Sequence, residues 1–166
     1  MSGLVMVMND GETGKDELAA LSTGLLAHHA KIGYPRKPTK FNIFLKDGEG
    51  IFWGGVICTC LWNGMEIDSL WVDESMRGQG WGKKLMEAAE TEGKKRGCTF
   101  AYTNTFTWQA PGFYKKLGYT EYGRLGNFPE GNCLTYIRIS NFIEIDFSIF
   151  WLLLKLGFGS TSTKIG

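Results

Sequence analysis

Hydrophobic and polar residues recur along this chain with two different periods, and the period changes several times before residue 140. Runs that alternate every second residue predict strands, whereas apolar residues spaced three and four apart predict helices. The predicted strands cover residues 4–8, 41–46, 51–62, 65–72, 98–105, 119–125 and 133–140, and the predicted helices cover residues 16–31, 81–96 and 109–117. This order is typical of a mixed α/β layer architecture.

Glycines add detail to the prediction of two of these elements. Gly54 and Gly55 lie inside a long strand and predict a bulge or the close approach of a neighbouring backbone. Gly97 follows the central helix and predicts its C-terminal end. The buried side of that helix is expected to carry Leu85, Ala88 and Ala89.

Composition limits the function classes. With 166 residues, 43% of them hydrophobic, and a net charge of +1, the chain can bury one core and lacks the basic excess of nucleic-acid-binding proteins. The four cysteines form no C-x-x-C pair, so we expect reduced thiols, no disulfide and no metal site. The N-terminus carries no charged and apolar leader, so we expect a cytoplasmic protein without a membrane partner.

Residues 141–166 do not continue the preceding pattern, so we expect a domain over residues 1–140 followed by an atypical C-terminal extension. Its apolar run at residues 149–156 is too short to span a membrane. Because exposed apolar surface promotes association, the extension is expected either to pack on its own domain or to join a second subunit in a homodimer. Residues 157–166 are rich in Gly, Ser and Thr and predict a flexible end.

The segment at residues 76–87 carries the strongest chemical signal. It follows an apolar strand-like run, opens a helix and includes Arg77, Gly78, Gly80 and Gly82. Glycines at such a junction let main-chain N–H groups approach a ligand, and a helix N-terminus favours a phosphate or pyrophosphate. The spacing matches neither a Walker loop nor the dinucleotide fingerprint, which opposes a nucleotide-binding protein of either kind.

The same residues match R-x-x-G-x-G, the acyl-CoA pyrophosphate motif of the GNAT N-acetyltransferases, and the chain resembles that superfamily over residues 18–139. A second match at residues 110–119 is similar to the A-x-x-F-Y-x-K-x-G-F/Y helix of the family. Residues 105–136 resemble a small bacterial branch whose substrates are mostly unassigned. The resemblance implies a splayed mixed sheet of about six to seven strands, flanked by about three to four helices and opened between its fourth and fifth strands.

The resemblance also implies that the cofactor is acetyl-CoA. The fourth strand of the family is expected to present its backbone to the pantetheine arm, and the glycine turn is expected to hold the pyrophosphate. The residues expected at this cofactor site are Leu70, Trp71, Val72, Arg77, Gly78, Gln79, Gly80, Trp81, Gly82, Lys83, Asn104 and Phe113. Asn104 is equally suited to cap the segment that follows it, and Phe113 is suited to pack on the domain.

Acetyl transfer needs a neutral amine, so a base or a water relay must remove a proton, and the departing thiolate benefits from a proton donor. Tyr114 matches the tyrosine that commonly acts as general acid in the family, and its alternative role is a packed aromatic residue. Glu66 and Asp68 are candidate bases, because alternate residues of a strand would place both on one face with Leu70 and Val72. Ordinary acids on a solvent-facing strand are the alternative.

The acceptor site is predicted from aromatic residues and histidines. His28 and His29 end the first helix beside a proline-containing loop, and with Trp62 they are the predicted substrate-binding residues. Histidines favoured by the helix dipole are the alternative. Three further tryptophans suit either an acceptor pocket or the core: Trp53, Trp71 and Trp108. Four acids would form a cleft that favours cationic acceptors: Glu66, Asp68, Asp73 and Glu74.

The sequence therefore predicts a GNAT-type acyltransferase that moves the acetyl group of acetyl-CoA to a primary amine of a small molecule or peptide. Direct attack within a ternary complex is the expected route. The alternative is an acyl-CoA binding or sensing module without efficient turnover. The lack of an evident base favours the module, whereas Tyr114 favours the enzyme.

Overall fold

A computed structural model of the chain describes residues 3–8 and 14–140. Within this part, three α-helices and six strands form the mixed α/β architecture that the periodicity and the family resemblance predicted. The helices are α1 (Lys15–Lys31), α2 (Trp81–Lys95) and α3 (Pro111–Lys116). The strands are β1 (Thr39–Lys46), β2 (Phe52–Leu61), β3 (Gly64–Val72), β4 (Phe100–Phe106), β5 (Thr120–Gly126) and β6 (Cys133–Ser140).

The N-terminal region differs from the prediction. Residues 4–8 form no strand, and their apolar side chains are exposed. Five residues form a stable strand only when a neighbour pairs with them, and no described strand does so. The first helix lies where it was predicted, but none of its residues is buried. The predicted extension at residues 141–166, with its proposed homodimer contact, lies outside the described residues.

The strand order is β1-β2-β3-β4-β6-β5, and among the described strands only β3 and β4 run parallel. A parallel neighbour needs a crossover connection, which α2 supplies. β3 pairs with residues 54–61 of β2 along its whole length, whereas β3 and β4 pair only between residues 64–66 and residues 100–102. The sheet is therefore splayed between β3 and β4, toward the carboxyl end of β3. These are the fourth and fifth strands of the prediction, between which the splay was expected.

The core lies between α2 and one face of the sheet. This core face carries Val56 and Cys58 from β2 and Met65 and Ile67 from β3. The central helix contributes Leu85, Met86 and Ala89 to the same cluster. Ala88, which was predicted to be buried, is exposed, because the buried stripe instead includes Met86. α2 is followed by its C-cap residue Arg96 and then by Gly97, which has φ of +84°, close to the predicted end.

A bulge in β3 changes which residues share a face. The β2–β3 register shifts after Ile57, and opposite this shift Asp68 is an extra residue without a partner. Leu70 and Val72 therefore pack on the core face. The prediction that Glu66 and Asp68 share a face with Leu70 and Val72 is wrong, because one extra residue reverses the alternation.

Gly54 and Gly55 mark a close approach of neighbouring strands, and a register shift of the β1–β2 pair lies directly beside them, because Trp53 has no partner between Phe52 and Gly54. A Cβ atom on Gly54 would lie 2.6 Å from the carbonyl oxygen of Trp71, and one on Gly55 would lie 2.8 Å from that of Ile43. Only glycine leaves room for these contacts without a shift of the backbone. The bulge of the β2–β3 pair lies further along, after Ile57.

The opposite face of the sheet is exposed in the described part of the chain. We call it the open face; it carries Phe44, Ile57, Glu66, Trp71 and Tyr102. Rings lie in contact along it: Trp71 stacks on its neighbour Phe52 with 5.9 Å between ring centroids and 13° between planes. The two faces of one sheet thus have opposite characters, one packed and one open to solvent.

Candidate active site

The connection from β3 to α2 is braced by its own side chains. The Asp73 carboxylate accepts hydrogen bonds from the Ser75 hydroxyl (2.6 Å) and the Ser75 N–H (2.9 Å), and these bonds lower the pKa of that carboxyl. Arg77 donates through Nε to the Val72 carbonyl (3.0 Å), and Gln79 donates to the Ser75 carbonyl (3.1 Å). Asp73 is therefore a cap of this turn rather than an acid free to meet an acceptor.

The turn that follows presents open backbone. Gly78 and Gly80 have φ of +74° and +83°, and a Cβ atom on either would meet no heavy atom within 4 Å. Left-handed positions of this kind cost other residues about 1–2 kcal/mol and turn successive N–H groups toward one side. The space beside the turn is thus available to a ligand that approaches the main chain closely.

The first turn of α2 has the features of an anion site. No side chain caps its N-terminus, and the first turn contains no acid, so its N–H groups face outward with the positive end of the helix dipole. Lys83 lies 3.6 Å from Glu87, and the Lys84 ammonium lies 4.2 Å from the ring centroid of Trp81. Two cations beside a capless helix start favour a phosphate-bearing ligand.

The third helix meets this turn. A Cβ atom on Gly82 would lie 3.3 Å from the ring of Phe113, so α3 lies on the same side of the sheet as α2. The next residue, Tyr114, is buried and contacts the rings of Phe113 (5.1 Å between centroids) and Tyr119 (5.8 Å). Burial raises the pKa of the Tyr114 hydroxyl, which therefore stays protonated at neutral pH, the form that a general acid needs.

A gap between β3 and β4 opens toward the carboxyl end of β3, the end that the glycine turn follows. The last β3–β4 pair is Glu66 with Tyr102, and beyond it Leu70 and Val72 keep their pairing with β2 alone. In this stretch the Ile67 carbonyl accepts from the Thr103 hydroxyl (2.8 Å) and the Val72 carbonyl accepts from Arg77, while no β4 residue pairs with residues 67–72 in the described part of the chain. Asn104 lies exposed on β4 across this gap. The predicted cofactor residues of β3 and β4 thus line the two sides of one opening.

The two candidate bases point in different directions from β3. The Glu66 carboxylate accepts a hydrogen bond from the Tyr102 hydroxyl (3.3 Å), toward β4 and the gap. The Asp68 carboxylate accepts from the Thr59 hydroxyl (2.7 Å), toward β2 and away from the gap. Tyr102 was not among the predicted site residues, because only the register of two distant strands brings it beside Glu66.

The predicted acceptor residues lie elsewhere. Trp62 donates through Nε1 to the Pro35 carbonyl (3.1 Å), and its ring centroid is 6.3 Å from that of His29, which adjoins His28. This group sits at the β2–β3 hairpin, whereas the glycine turn follows the other end of β3. The two ends are those of a nine-residue strand, whose eight intervals span about 26 Å at 3.3 Å per residue. A role for these residues in acceptor binding stays a prediction that this arrangement does not support.

The other tryptophans also do not form one pocket. Trp53 donates to the Asp47 carboxylate in the β1–β2 turn (2.8 Å), and Trp71 stacks on a neighbouring strand. Trp108 stacks on Phe106 beyond the end of β4. In the described part of the chain there is no group of three or more His, Cys, Asp or Glu side chains arranged to hold a metal ion.

Residues 39–121 match the family model of the acetyltransferase (GNAT) domain, from β1 through the glycine turn and α3 to the start of β5. The chain belongs to the GNAT acetyltransferase family. It is therefore an acyltransferase whose acyl donor is acetyl-CoA, and the turn, the gap and Tyr114 lie within the matched residues.

Individual relatives agree with this assignment. Acetyltransferase Atu2258 of Agrobacterium fabrum is 34% identical over 97 residues, which span 58% of this chain and 71% of that protein. Blasticidin-S acetyltransferase of Streptomyces morookaense is 35% identical over 79 residues, which span 47% of this chain and 58% of that protein. The crystal structure of an acetyltransferase from Bacillus cereus superposes with a TM-score of 0.73 at 29% identity, over 80% of this chain and 97% of that chain.

More distant structures share the fold of this GNAT protein, and some of them contain the cofactor. Two of them were solved with coenzyme A or acetyl coenzyme A, at 18% and 21% identity and TM-scores of 0.56 and 0.57. In this chain, none of the helices among the described residues is long and apolar enough to cross a membrane.

Proposed function

We propose that this GNAT enzyme transfers the acetyl group of acetyl-CoA to a primary amine of a small molecule or peptide by direct attack within a ternary complex. The observation that carries the proposal is the gap between β3 and β4, which starts beside Glu66 and leads to the capless N-terminus of α2. A thioester lying in this gap would be reachable from both faces of the sheet.

The cofactor would lie in the gap on the core face, the side of the sheet that α2 covers. Main-chain N–H groups of residues 79–83 would hold the pyrophosphate, supported by the left-handed Gly78 and Gly80 and by the nearby Lys83. The edge of β3 from Leu70 to Val72, which β4 does not pair, would hydrogen-bond to the amides of the pantetheine arm, with Asn104 opposite. Such pairing would satisfy backbone groups that β4 leaves unpaired.

The reaction would then proceed in one complex. The amine nitrogen attacks the thioester carbonyl carbon, main-chain N–H groups of β3 stabilise the oxyanion, and the C–S bond breaks as the amide forms. The amine proton passes to Glu66, directly or through water, and the Tyr114 hydroxyl donates a proton to the departing thiolate. The products are the N-acetylated amine and free CoA thiol.

Two of the four cysteines are unsuited to carry a covalent acetyl-enzyme, which favours direct attack. Burial raises the pKa of the Cys58 thiol to about 12, and burial with the neighbouring Cys60 does the same for Cys98. Thiols with such pKa values are not nucleophiles at neutral pH. Initial-rate patterns should therefore show a ternary complex rather than ping-pong kinetics.

A small-molecule acceptor is supported by one relative and by charge. The Streptomyces relative is named for acetylation of blasticidin S, a small molecule. In this chain, the Glu66 carboxylate lies beside the gap, where it would attract a protonated amine before the amine loses its proton.

The test is CoA release with amines. Purified protein is incubated with acetyl-CoA and a panel of small amines and amine-bearing peptides, while free thiol is measured and products are identified by mass spectrometry. We expect thiol release that depends on the amine and equals the acetylated product. Tight binding of acetyl-CoA with no amine-dependent release would instead favour an acyl-CoA binding or sensing module.

A further inference from the structure

An exposed stack of aromatic side chains lies at the carboxyl end of β4. Trp108 stacks on Phe106 with 4.4 Å between ring centroids and 10° between planes, and Phe128, from the β5–β6 loop, lies 6.0 Å from Phe106. Trp108 is 56% exposed and Phe128 is 48% exposed. We call these three residues the aromatic shelf. Large aromatic side chains left open to solvent often mark a ligand or partner site.

The shelf is held rigid by its loops. Phe106 N–H donates to the Gln109 side-chain oxygen (2.8 Å), and Gln109 N–H donates back to the Phe106 carbonyl (3.0 Å). Thr107 links the β4–α3 loop to the β5–β6 loop, since its hydroxyl donates to Asn132 (2.9 Å) and its N–H donates to the Cys133 carbonyl (3.1 Å). A ligand that stacks on the exposed indole would therefore not have to order it first, which favours affinity.

The shelf lies on the open face, opposite the proposed entry of acetyl-CoA. Tyr102, Asn104 and Phe106 share one face of β4, since the residues between them are buried on the core face. Asn104 and Phe106 are two residues apart, about 7 Å along the strand. A molecule on the open face could thus rest a ring on the shelf while its amine lies in the gap at the level of Asn104. Glu66, which is level with Tyr102, is about 7 Å further along the strand, so the amine proton would reach it through water.

Charge on the open face fits an ammonium in the gap. Glu66 supplies a carboxylate toward the gap, and Asp68 supplies a second one on β3 that is turned toward β2. On the β5–β6 side, Arg124 pairs with Glu121 (2.8 Å), Arg138 lies 5.9 Å from the ring centroid of Tyr122, and the loop that carries Phe128 adds the exposed Glu130. An acceptor with a cationic end and a flat apolar end would match both regions.

We propose that the aromatic shelf binds a planar aromatic ring of the acceptor, so that preferred substrates are arylalkylamines whose ring and primary amine are separated by two or three carbons. The proposal rests on the acetyltransferase function proposed above. Trp108 is its specificity-determining residue, and it takes no part in the bond-making steps.

The experiment compares two amines of equal charge and similar size. 2-Phenylethylamine has a flat ring that can stack, whereas 2-cyclohexylethylamine has a puckered ring that cannot. We expect kcat/KM to favour the phenyl compound by about three- to tenfold, the range given by aromatic stacking. Trp108→Leu should remove this preference by raising KM for the phenyl amine, with KM for acetyl-CoA unchanged. Trp108→Phe, which keeps a flat ring, should retain most of it.

Phe44→Leu is the matched control, because Phe44 is also exposed on the open face but lies on β1, away from the gap. It should leave the preference intact. Equal kcat/KM for the two amines in the wild type, or a preference that Trp108→Leu leaves unchanged, would overturn the aromatic shelf while leaving acetyl transfer standing.

If no amine is acetylated, the proposed function fails, and the shelf is tested by calorimetric titration of 2-phenylethylamine into the protein saturated with CoA. Weaker binding to Trp108→Leu than to the wild type would support the shelf. Equal binding, or none to the wild type, would overturn it.

Discussion

The two faces of this sheet differ in how they are packed and in the ligands that they can bind. On the core face, α2 and α3 cover β2, β3 and β4 with residues such as Met86 and Tyr114. On the open face, Ile57, Trp71 and Trp108 remain exposed in the described part of the chain. The splay between β3 and β4 connects the two faces. A packed face offers a rigid surface for a large cofactor. The exposed side chains of an open face can differ among relatives, and the acceptor that binds there can differ with them.

The largest expected effect tests the catalytic side of this comparison. Tyr114→Phe removes one hydroxyl and keeps the ring that packs against Phe113 and Tyr119. We expect kcat to fall by about 10²- to 10⁴-fold, the usual contribution of a general acid, with acetyl-CoA affinity unchanged. Steady-state kinetics and calorimetry measure the two quantities. Tyr122→Phe, on the exposed side of β5, is the control, and an equal loss there would remove Tyr114 from the mechanism.

The open face should contribute the base. Glu66→Gln should lower kcat/KM by about 10²-fold, because its carboxylate lies at the start of the gap beside Tyr102. Asp68→Asn should cost much less, since its carboxylate turns toward Thr59 on β2. Parallel kinetics on the two variants decide between them, and a larger loss for Asp68→Asn would reverse the assignment.

Stability should separate the two faces. Met86 is 0% exposed, so Met86→Ala leaves a cavity and should lower the free energy of unfolding by about 2–5 kcal/mol. Ile57 is 40% exposed, and Ile57→Ala should cost less than about 1 kcal/mol, because water already reaches much of the side chain. Urea titrations measure both values. Similar losses for the two variants would mean that the open face is also covered.

The smallest effect concerns a half-buried acid of α2, Glu90, on the side of the sheet that carries the core. Burial raises the pKa of Glu90, although the Tyr119 hydroxyl donates to its carboxylate (2.9 Å) and Lys94 opposes the shift. The folded protein therefore binds more protons than the unfolded chain above the ordinary Glu pKa of 4.5, and stability falls as pH rises through that window.

Glu90→Gln removes this titration and still accepts the bond from Tyr119. Its free energy of unfolding relative to the wild type should therefore improve between pH 4 and pH 7 in urea titrations. Glu87→Gln, an exposed acid on the same helix, should show no such gain. A Glu90→Gln difference that does not change with pH would contradict the raised pKa.

The cofactor side could be predicted from sequence because its signals are local. The glycine turn, the start of α2 and the Phe113–Tyr114 pair each lie within a few consecutive residues. Gly78 and Gly80 have the left-handed backbone that their position in the motif requires.

The features proposed to bind the acceptor were harder to predict, because they depend on pairing between distant residues. The bulge at Asp68 exists only through the register with β2, and it put Leu70 on the face opposite to the one predicted. Trp62 was predicted to bind the acceptor, whereas Trp108 suited either an acceptor pocket or the core. The hairpin carries Trp62 to the far end of β3, and the loop after β4 stacks Trp108 on Phe106.

The central claim, that the glycine turn at the start of α2 holds acetyl-CoA, is tested most directly by a pair of glycine variants. Gly80 and Gly97 have φ of +83° and +84°, and a Cβ atom on either would meet nothing within 4 Å, so alanine strains both equally. Calorimetric titration of acetyl-CoA should show that Gly80→Ala weakens binding at least about tenfold, whereas Gly97→Ala binds as the wild type does. Equal affinity in the two variants would contradict the account.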